Sequence, residues 1–277
     1  MRQLKNKWME SVKVLFVSQE ITPYLPETPM SLISRNLPQQ IQEKGREIRT
    51  FMPKFGCVNE RRNQLHEVIR LSGMNLIIND TDHPLIIKVA SIQSARMQVY
   101  FIDNEEFFHR KATLLDENNT DFADNDERSI FFCRGVLETV KKLRWSPDII
   151  HCHGWFTGLI PILIKKSYFD DPLFAHSKIV TSVYDVEFKE KLSSNFHEKM
   201  KFEGIENEDV AIAKDPTYNN FMKIAVNFSD GVIFGSETTN PELEKHVKTK
   251  KIPTLSYQQD DYAEAYNQFY NQVLQKN

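Results

Sequence analysis

The sequence predicts an open α/β domain, with a mostly parallel sheet and helices on both faces. Three observations predict it. Short β-branched runs alternate with longer stretches of helical periodicity. Most neighbouring runs are separated by crossover-length segments, while one pair is joined by only a few polar residues. The last segment carries a tight apolar stripe at helical spacing, which must dock on something.

The first strand is VKVLFVS, residues 12–18, and the second EIRTFMP, residues 47–53. Between them Met30, Ile33, Leu37 and Ile41 fall three or four apart, on one face of a helix. Pro38 is expected to kink that helix or mark a late start, and Gly45 to close it. The runs PLIIKVASI (84–92) and RMQVYFID (96–103) lie too close together for a crossover helix and predict a hairpin. In DERSIFFCRGVLETVKKL (126–143), Ile130, Cys133, Leu137 and Val140 form one stripe. Lys141 and Lys142 sit at its C-terminal end, where the helix dipole favours positive charge.

PDIIHCH (147–153) follows as a strand, WFTGLIPILIKK (155–166) as a helix and KIVTSVYD (178–185) as a strand. NNFMKIAVNFSD (219–230) is then a helix and GVIFGSE (231–237) a strand. Residues 187–215, rich in charge and weak in pattern, are expected to form a long excursion, mobile or only partly helical. In the tail, Tyr262, Tyr266, Phe269, Tyr270, Val273 and Leu274 make the apolar stripe. The expected organisation is a domain of residues 1–257 with a helix from 258–277 packing back on it.

Of the 277 residues, 40% are hydrophobic and 26% charged, so the chain can bury a sizeable core. A formal net charge of −3 gives no electrostatic reason to expect nucleic acid as a partner. The opening MRQLKNK precedes only a brief apolar run containing Lys13, with no small-residue cleavage pattern, so no signal peptide is expected. No stretch has the ~18–20 apolar residues of a membrane span, and a soluble cytoplasmic protein is expected. Cys57, Cys133 and Cys152 are odd in number, far apart and in no paired metal spacing. They are expected to be free buried thiols, and neither a metal nor another cofactor is expected. The absence of any Gly-x-Gly-x-x-Gly leaves a dinucleotide oxidoreductase with only the β-α-β frame in its favour.

The end of the first strand is where such a domain usually places a glycine-rich, phosphate-cradling turn. Here the stretch is YLPETPMSLIS, residues 24–34, with no glycine and with two prolines, Pro26 and Pro29.

Taken in order, VLFVSQEITPYLPETPMSLISRNLP (14–38), PKFG (53–56), VYFIDNEEFFHR (99–110), FADNDERSIFF (122–132), PDIIHCHGWFTGLIP (147–161) and NNFMKIAVNFSDGVIFGSE (219–237) resemble the N-terminal half of bacterial glycogen and starch synthases. These are retaining glycosyltransferases of two-lobed GT-B architecture that use ADP-glucose. The resemblance implies a single Rossmann-like GT-B N-lobe. The tail resembles the family's extreme C-terminus, a helix that crosses back onto this lobe. No donor-lobe motif follows Glu237, as though that lobe had been excised and the crossover helix kept.

The departures from the family matter as much. The family's Lys-Thr-Gly-Gly-Leu turn, which contacts the ADP phosphates, corresponds to Pro26, Glu27, Thr28, Pro29 and Met30. The cation is gone, the backbone freedom of glycine is gone, and Glu27 would repel a diphosphate. The resemblance makes His153, at a strand end beside the family's transferred sugar, the candidate catalytic residue; packing there is the alternative. Gly154 replaces the family's neighbouring Asp, Trp155 is retained, and Val183, Tyr184 and Asp185 stand where the family has Ile-His-Asn. The implied substrate-binding residues are Phe108, Asn125, Arg128 and Trp155. A core position for Phe108, and helix capping and surface charge for Asn125 and Arg128, are the alternatives.

Together these features imply a glycogen/starch synthase-like lobe with little or no glucosyl transfer alone, acting as a glucan- or partner-binding module. The alternative is one chain of a two-chain ADP-glucose:glucan glucosyltransferase. The expected partners are an α-glucan or a separate donor-lobe protein, with no nucleic acid and no membrane.

Overall fold

The computed structural model describes residues 11–276, so the MRQLKNK opening lies outside the described residues. The strands are β1 (Lys13–Ser18), β2 (Glu47–Pro53), β3 (His66–Glu67), β4 (Met74–Ile78), β5 (Thr81–Ile92), β6 (Met97–Asp103), β7 (Ile149–His153), β8 (Lys178–Val183), β9 (Gly231–Phe234) and β10 (Thr254–Leu255). They form one sheet in the order β10-β9-β8-β7-β1-β2-β6-β5-β3, with β4 on β5. Every pairing from β10 to β6 is parallel. The predicted hairpin is β5–β6, running antiparallel from Ile86 opposite Asp103 to Ile92 opposite Met97. β1 lies between β2 and β7, and Val14 to Val17 are fully buried, which explains the unbroken apolar run.

The first helix (Pro29–Glu43) begins where Thr28 caps it and Pro29 takes the first turn, a position that needs no N–H. Pro38 sits inside the helix rather than delaying its start. At the other end Gly45, at φ +88°, donates to Gln42 O at 2.9 Å, and Arg46 N reaches Ile41 O at 3.4 Å. This pair of bonds is the Schellman closure that glycine permits.

Several expectations are corrected. Residues 155–166 are not one regular helix: a 3-10 turn (Trp155–Thr157) leads to a short α segment (Ile160–Ile162) and a π turn (Leu163–Ser167). Residues 187–215 are partly helical, but they are not a loose excursion. Phe188, Leu192, Phe196 and Met200, evenly four apart, and Ile205, Val210 and Ala213, irregularly spaced, are buried in the core. Cys133 and Cys152 are buried and free, whereas Cys57 is free but exposed. A helix at Pro241–Thr249 and the strand β10 lie between β9 and the tail.

The tail helix (Tyr262–Gln275) covers the sheet face that the first helix also covers. Tyr266, Phe269, Tyr270 and Val273 are buried with Val14, Phe16, Leu37, Ile41, Ile149, Val180 and Ile233. Tyr262 and Leu274 are half-buried at the margin. Each fully buried large apolar side chain contributes ~1.5–3 kcal/mol relative to exposure. Polar fastening is added by Arg46, whose Nε donates to Asn267 Oδ1 at 2.6 Å and whose Nη2 donates to Asn271 Oδ1 at 2.8 Å. Lys44 and Glu264 pair at the helix start. On the opposite face, the long helix (Asn125–Leu143) packs Ile130, Phe131, Cys133, Val136, Leu137 and Val140 into the larger core.

Candidate functional site

β1 and β7 are neighbours whose connections leave in opposite directions, and the crevice beyond their carboxyl ends is where such sheets place ligands. Strand alternation turns His151 and His153 to the same face, with ring centroids 3.9 Å apart. Both are fully buried. His151 has Tyr270 Oη at 2.7 Å from Nδ1 and Ser182 Oγ at 2.7 Å from Nε2, so the tail helix supplies one of its partners. His153 Nδ1 lies 2.7 Å from Tyr184 Oη, and its Nε2 has no partner among the described residues. Burial depresses the pKa of His153 to about 3 and that of His151 well below the ordinary range, the latter with a smaller push from His153. Both imidazoles are therefore neutral at physiological pH.

The rest of the crevice is filled. Gly154 has φ +85°, and a Cβ there would stand 2.9 Å from Gln19 Oε1 and 2.9 Å from Met30 Sδ. Gln19 N donates to His153 O at 3.0 Å, and Phe156 N donates to Gln19 Oε1 at 3.2 Å, so Gln19 bridges the two strand ends. Tyr184 presses against Gly235, where a Cβ would lie 2.5 Å from its ring. Tyr184 was visible in the sequence as a departure from the family pattern, but its bond to His153 was not. Gln19 gave no signal at all.

The turn that replaces the phosphate loop satisfies its own helix start. Thr28 Oγ1 accepts from Ser31 N at 2.9 Å, and Thr28 N donates to Ser31 Oγ at 2.8 Å. Ser31 Oγ also donates to Pro26 O at 2.9 Å, and Thr28 Oγ1 donates to the Glu20 carboxylate. Pro29 offers no N–H, and Leu32 N bonds Thr28 O. Burial raises the pKa of Glu20, partly opposed by the Thr28 hydrogen bond. Residues 19–31 contain no Lys or Arg, and Glu27 is exposed.

Phe108, Asn125 and Arg128 form a separate buried cluster. Arg128, fully buried, donates from Nε to Phe107 O at 2.8 Å, from Nη1 to Asn125 Oδ1 at 2.6 Å and from Nη2 to Thr113 O at 2.9 Å. Its guanidinium lies over Phe55, Phe108 and Phe122 at 5.4–5.6 Å. Desolvation, with Arg110 nearby, lowers its pKa to about 10. Asn125 Nδ2 donates to Leu114 O at 2.8 Å. Here the pair clamps the segment after β6 onto the long helix.

Trp155 is buried against Phe188, with ring centroids 4.8 Å apart. An aromatic chain, Trp155–Phe156–Phe55–Phe108, joins the strand end to the Arg128 cluster. Among the described residues, five of the surface clefts hold about 280 to 470 Å³ each, and none of these five is lined by His153, Trp155, Phe108, Asn125 or Arg128. Among the described residues no group of three or more His, Cys, Asp or Glu is arranged to hold a metal ion. No described helix is long and apolar enough to cross a membrane.

Residues 13–253 match the Starch synthase catalytic domain family. A glycogen synthase of Chlorobium limicola is 41% identical over 175 residues, covering 63% of this chain and 36% of that protein. A glycogen synthase of Chlorobaculum parvum is 32% identical over 267 residues, 95% of this chain and 52% of that protein. The chain spans about half the length, or less, of these curated relatives. In fold it is similar to the catalytic domain of starch synthase IV from Arabidopsis thaliana bound to ADP and acarbose, with a TM-score of 0.72 at 20% identity over 91% of this chain and 53% of that one.

Proposed function

The chain belongs to the starch synthase catalytic domain family, and from that premise we propose that this lobe has little or no glucosyl transfer activity by itself and acts by binding α-glucan. One observation carries the proposal. The turn equivalent to the family's ADP-phosphate contact is a self-satisfied helix cap without a cation, with Glu20 hydrogen-bonded inside it.

Glycosyl transfer to a sugar acceptor needs charge stabilisation at the departing diphosphate, aimed there in advance. This turn supplies the opposite: Pro29 has no N–H, the N–H groups of Ser31 and Leu32 are spent on Thr28, and its carboxylates repel an anion. The second support is the filled crevice, where Gln19, Met30 and Tyr184 occupy the space around Gly154 and His153. A second reading, in which the lobe works beside a donor lobe on another polypeptide as an ADP-glucose:glucan glucosyltransferase, draws on the match to about half of the relatives' length.

Calorimetric titration of the chain with ADP-glucose and with maltoheptaose, beside an assay of glucose incorporation into glycogen, tests the proposal. The expected result is glucan binding with no saturation by ADP-glucose up to about 1 mM. Micromolar ADP-glucose binding, or turnover by the chain alone, would refute it. Turnover that appears only on adding a donor-lobe protein would establish the second reading.

A further inference from the structure

We infer that the cleft at the amino ends of β2 and β6 is a binding site for a phosphate group, free or as a monoester, built around Arg49 and Arg96. Arg49 lies near the start of β2, and Met97 and Gln98 open β6. Both strands run parallel to β1 and β7, so the cleft sits at the opposite end of the sheet from the crevice at His153. At about 280 Å³ it falls just under the ~300–1,000 Å³ of drug-sized ligand pockets, which suits a small ligand.

Arg49 carries the inference. It is half-buried, and a guanidinium drawn partly out of water ordinarily has a carboxylate beside it. Among the described residues Arg49 has none: its one hydrogen bond runs from Nη1 to Tyr100 Oη, at 2.9 Å. Nε is closed to solvent and takes no part. Nη2 is not closed off and has no partner among the described residues, so it is the edge left for a ligand. The guanidinium lies over the Trp145 ring at 5.2 Å and the Tyr100 ring at 5.9 Å, which fix its plane in advance.

Arg96 reaches the same cleft from the turn before β6. It is exposed, and its side chain makes no ion pair or hydrogen bond among the described residues. Gln42 from the first helix and Gln98 from β6, both exposed, add amide donors. Donors thus approach from a helix, two strands and a turn, an arrangement that suits a tetrahedral group better than a flat carboxylate. Ile48 and Met97 give a small apolar wall beside which the carbon chain of an ester can lie.

Nothing in the lining cancels this charge. No Asp or Glu is among the lining residues. Glu47 accepts from Trp145 Nε1, and Glu43 accepts from Gln39 Nε2 at 3.0 Å. The carbonyls of Gln40, Ile41 and Gln42 at the end of the first helix are bonded by the N–H groups of Lys44, Arg46 and Gly45. A chain of net charge −3 therefore keeps two uncompensated cations on one small cleft, and an anion between them relieves their repulsion. Two cations are too few to hold a nucleic-acid backbone, and a metal ion would find no carboxylate.

The test is calorimetric titration of the full chain with inorganic phosphate, and separately with glycerol phosphate, at an ionic strength held constant with sodium chloride. Wild type should bind with a Kd on the order of 0.1–1 mM. Arg96→Gln should weaken binding about 10-fold or more, and Arg49→Lys, which keeps the charge but loses the fork, by a similar factor. Arg61→Gln makes the same change of net charge at an exposed position outside the cleft and should stay within about 2-fold of wild type. Arg96 is exposed and bonds nothing among the described residues, so its variant decides the matter even where Arg49→Lys fails to fold. Tighter binding of glycerol phosphate assigns the site to an ester, and tighter binding of phosphate to the free ion; both uphold it. No binding to wild type up to about 10 mM, or equal affinity in wild type and Arg96→Gln, would overturn it. Equal weakening in Arg96→Gln and Arg61→Gln would do the same, since the attraction would then belong to net charge and not to the cleft.

Discussion

Replacing Tyr270 by Phe tests how the tail is held. The ring is fully buried and packs in the second core, and its hydroxyl is 2.7 Å from His151 Nδ1. The substitution keeps the packing and removes one oxygen, leaving a buried ring nitrogen without that partner. Stranding a buried polar atom costs ~1–3 kcal/mol. For a domain of this size each kcal/mol moves the thermal midpoint by ~2–4 °C, so a fall of about 2–12 °C is expected. Urea unfolding of the two proteins should show a lower midpoint with an unchanged slope. Tyr257→Phe is the control: Tyr257 is 40% exposed, and a surface change of this kind stays within ~0.5 kcal/mol. If Tyr270→Phe were no less stable than that control, the His151–Tyr270 bond would not be fastening the tail.

Three further outcomes follow from the same geometry. His153 takes up a proton near pH 6.5 when unfolded but only at about 3 when folded. The unfolded chain therefore binds more protons between these values, so stability is full above about pH 6.5 and lost as the pH falls toward 3. About 2–3 kcal/mol from this group should be gone at pH 4.5, and a flatter pH profile of the urea midpoint in His153→Gln checks it. Gly154→Asp, which restores the family's acid, must hold φ +85° and displace Gln19 or Met30, so a loss of at least ~2 kcal/mol in chemical denaturation is expected. Ellman's reagent should find one reactive thiol, Cys57, in the native protein and three after unfolding.

The frame was readable because its signals are local. β1, the first helix and β2 announce themselves by an apolar run, a three-or-four spacing and a closing glycine, and the tail stripe is equally plain. The helix Pro241–Thr249 was missed although its cues were present: Asn240 as cap, Pro241 in the first turn, and Leu243 with Val247 four apart. In the packed stretch 187–215 the four-apart run Phe188, Leu192, Phe196 and Met200 was a cue, but only Phe196–Lys199 of it is helical, and Ile205, Val210 and Ala213 follow no repeat. The same holds for the candidate site. Arg128 was singled out by its match to a family pattern, with surface charge as the alternative; it is buried instead, and its clamp is made of backbone carbonyls at Phe107 and Thr113 that no side-chain pattern discloses. His153 was placed at a strand end, while its partner Tyr184 lies 31 positions away.

The sheet's margins have their own consequence. The outer strands β3 and β10 have only two residues each, and the carbonyl of Ile77 on β4 accepts a hydrogen bond from Arg134 Nη1 at 2.5 Å. A passing extended chain therefore finds little open ladder to add to. Among the described residues, the brevity of β3 and β10 leaves the broad parallel interior little border on which to template ribbon-like growth.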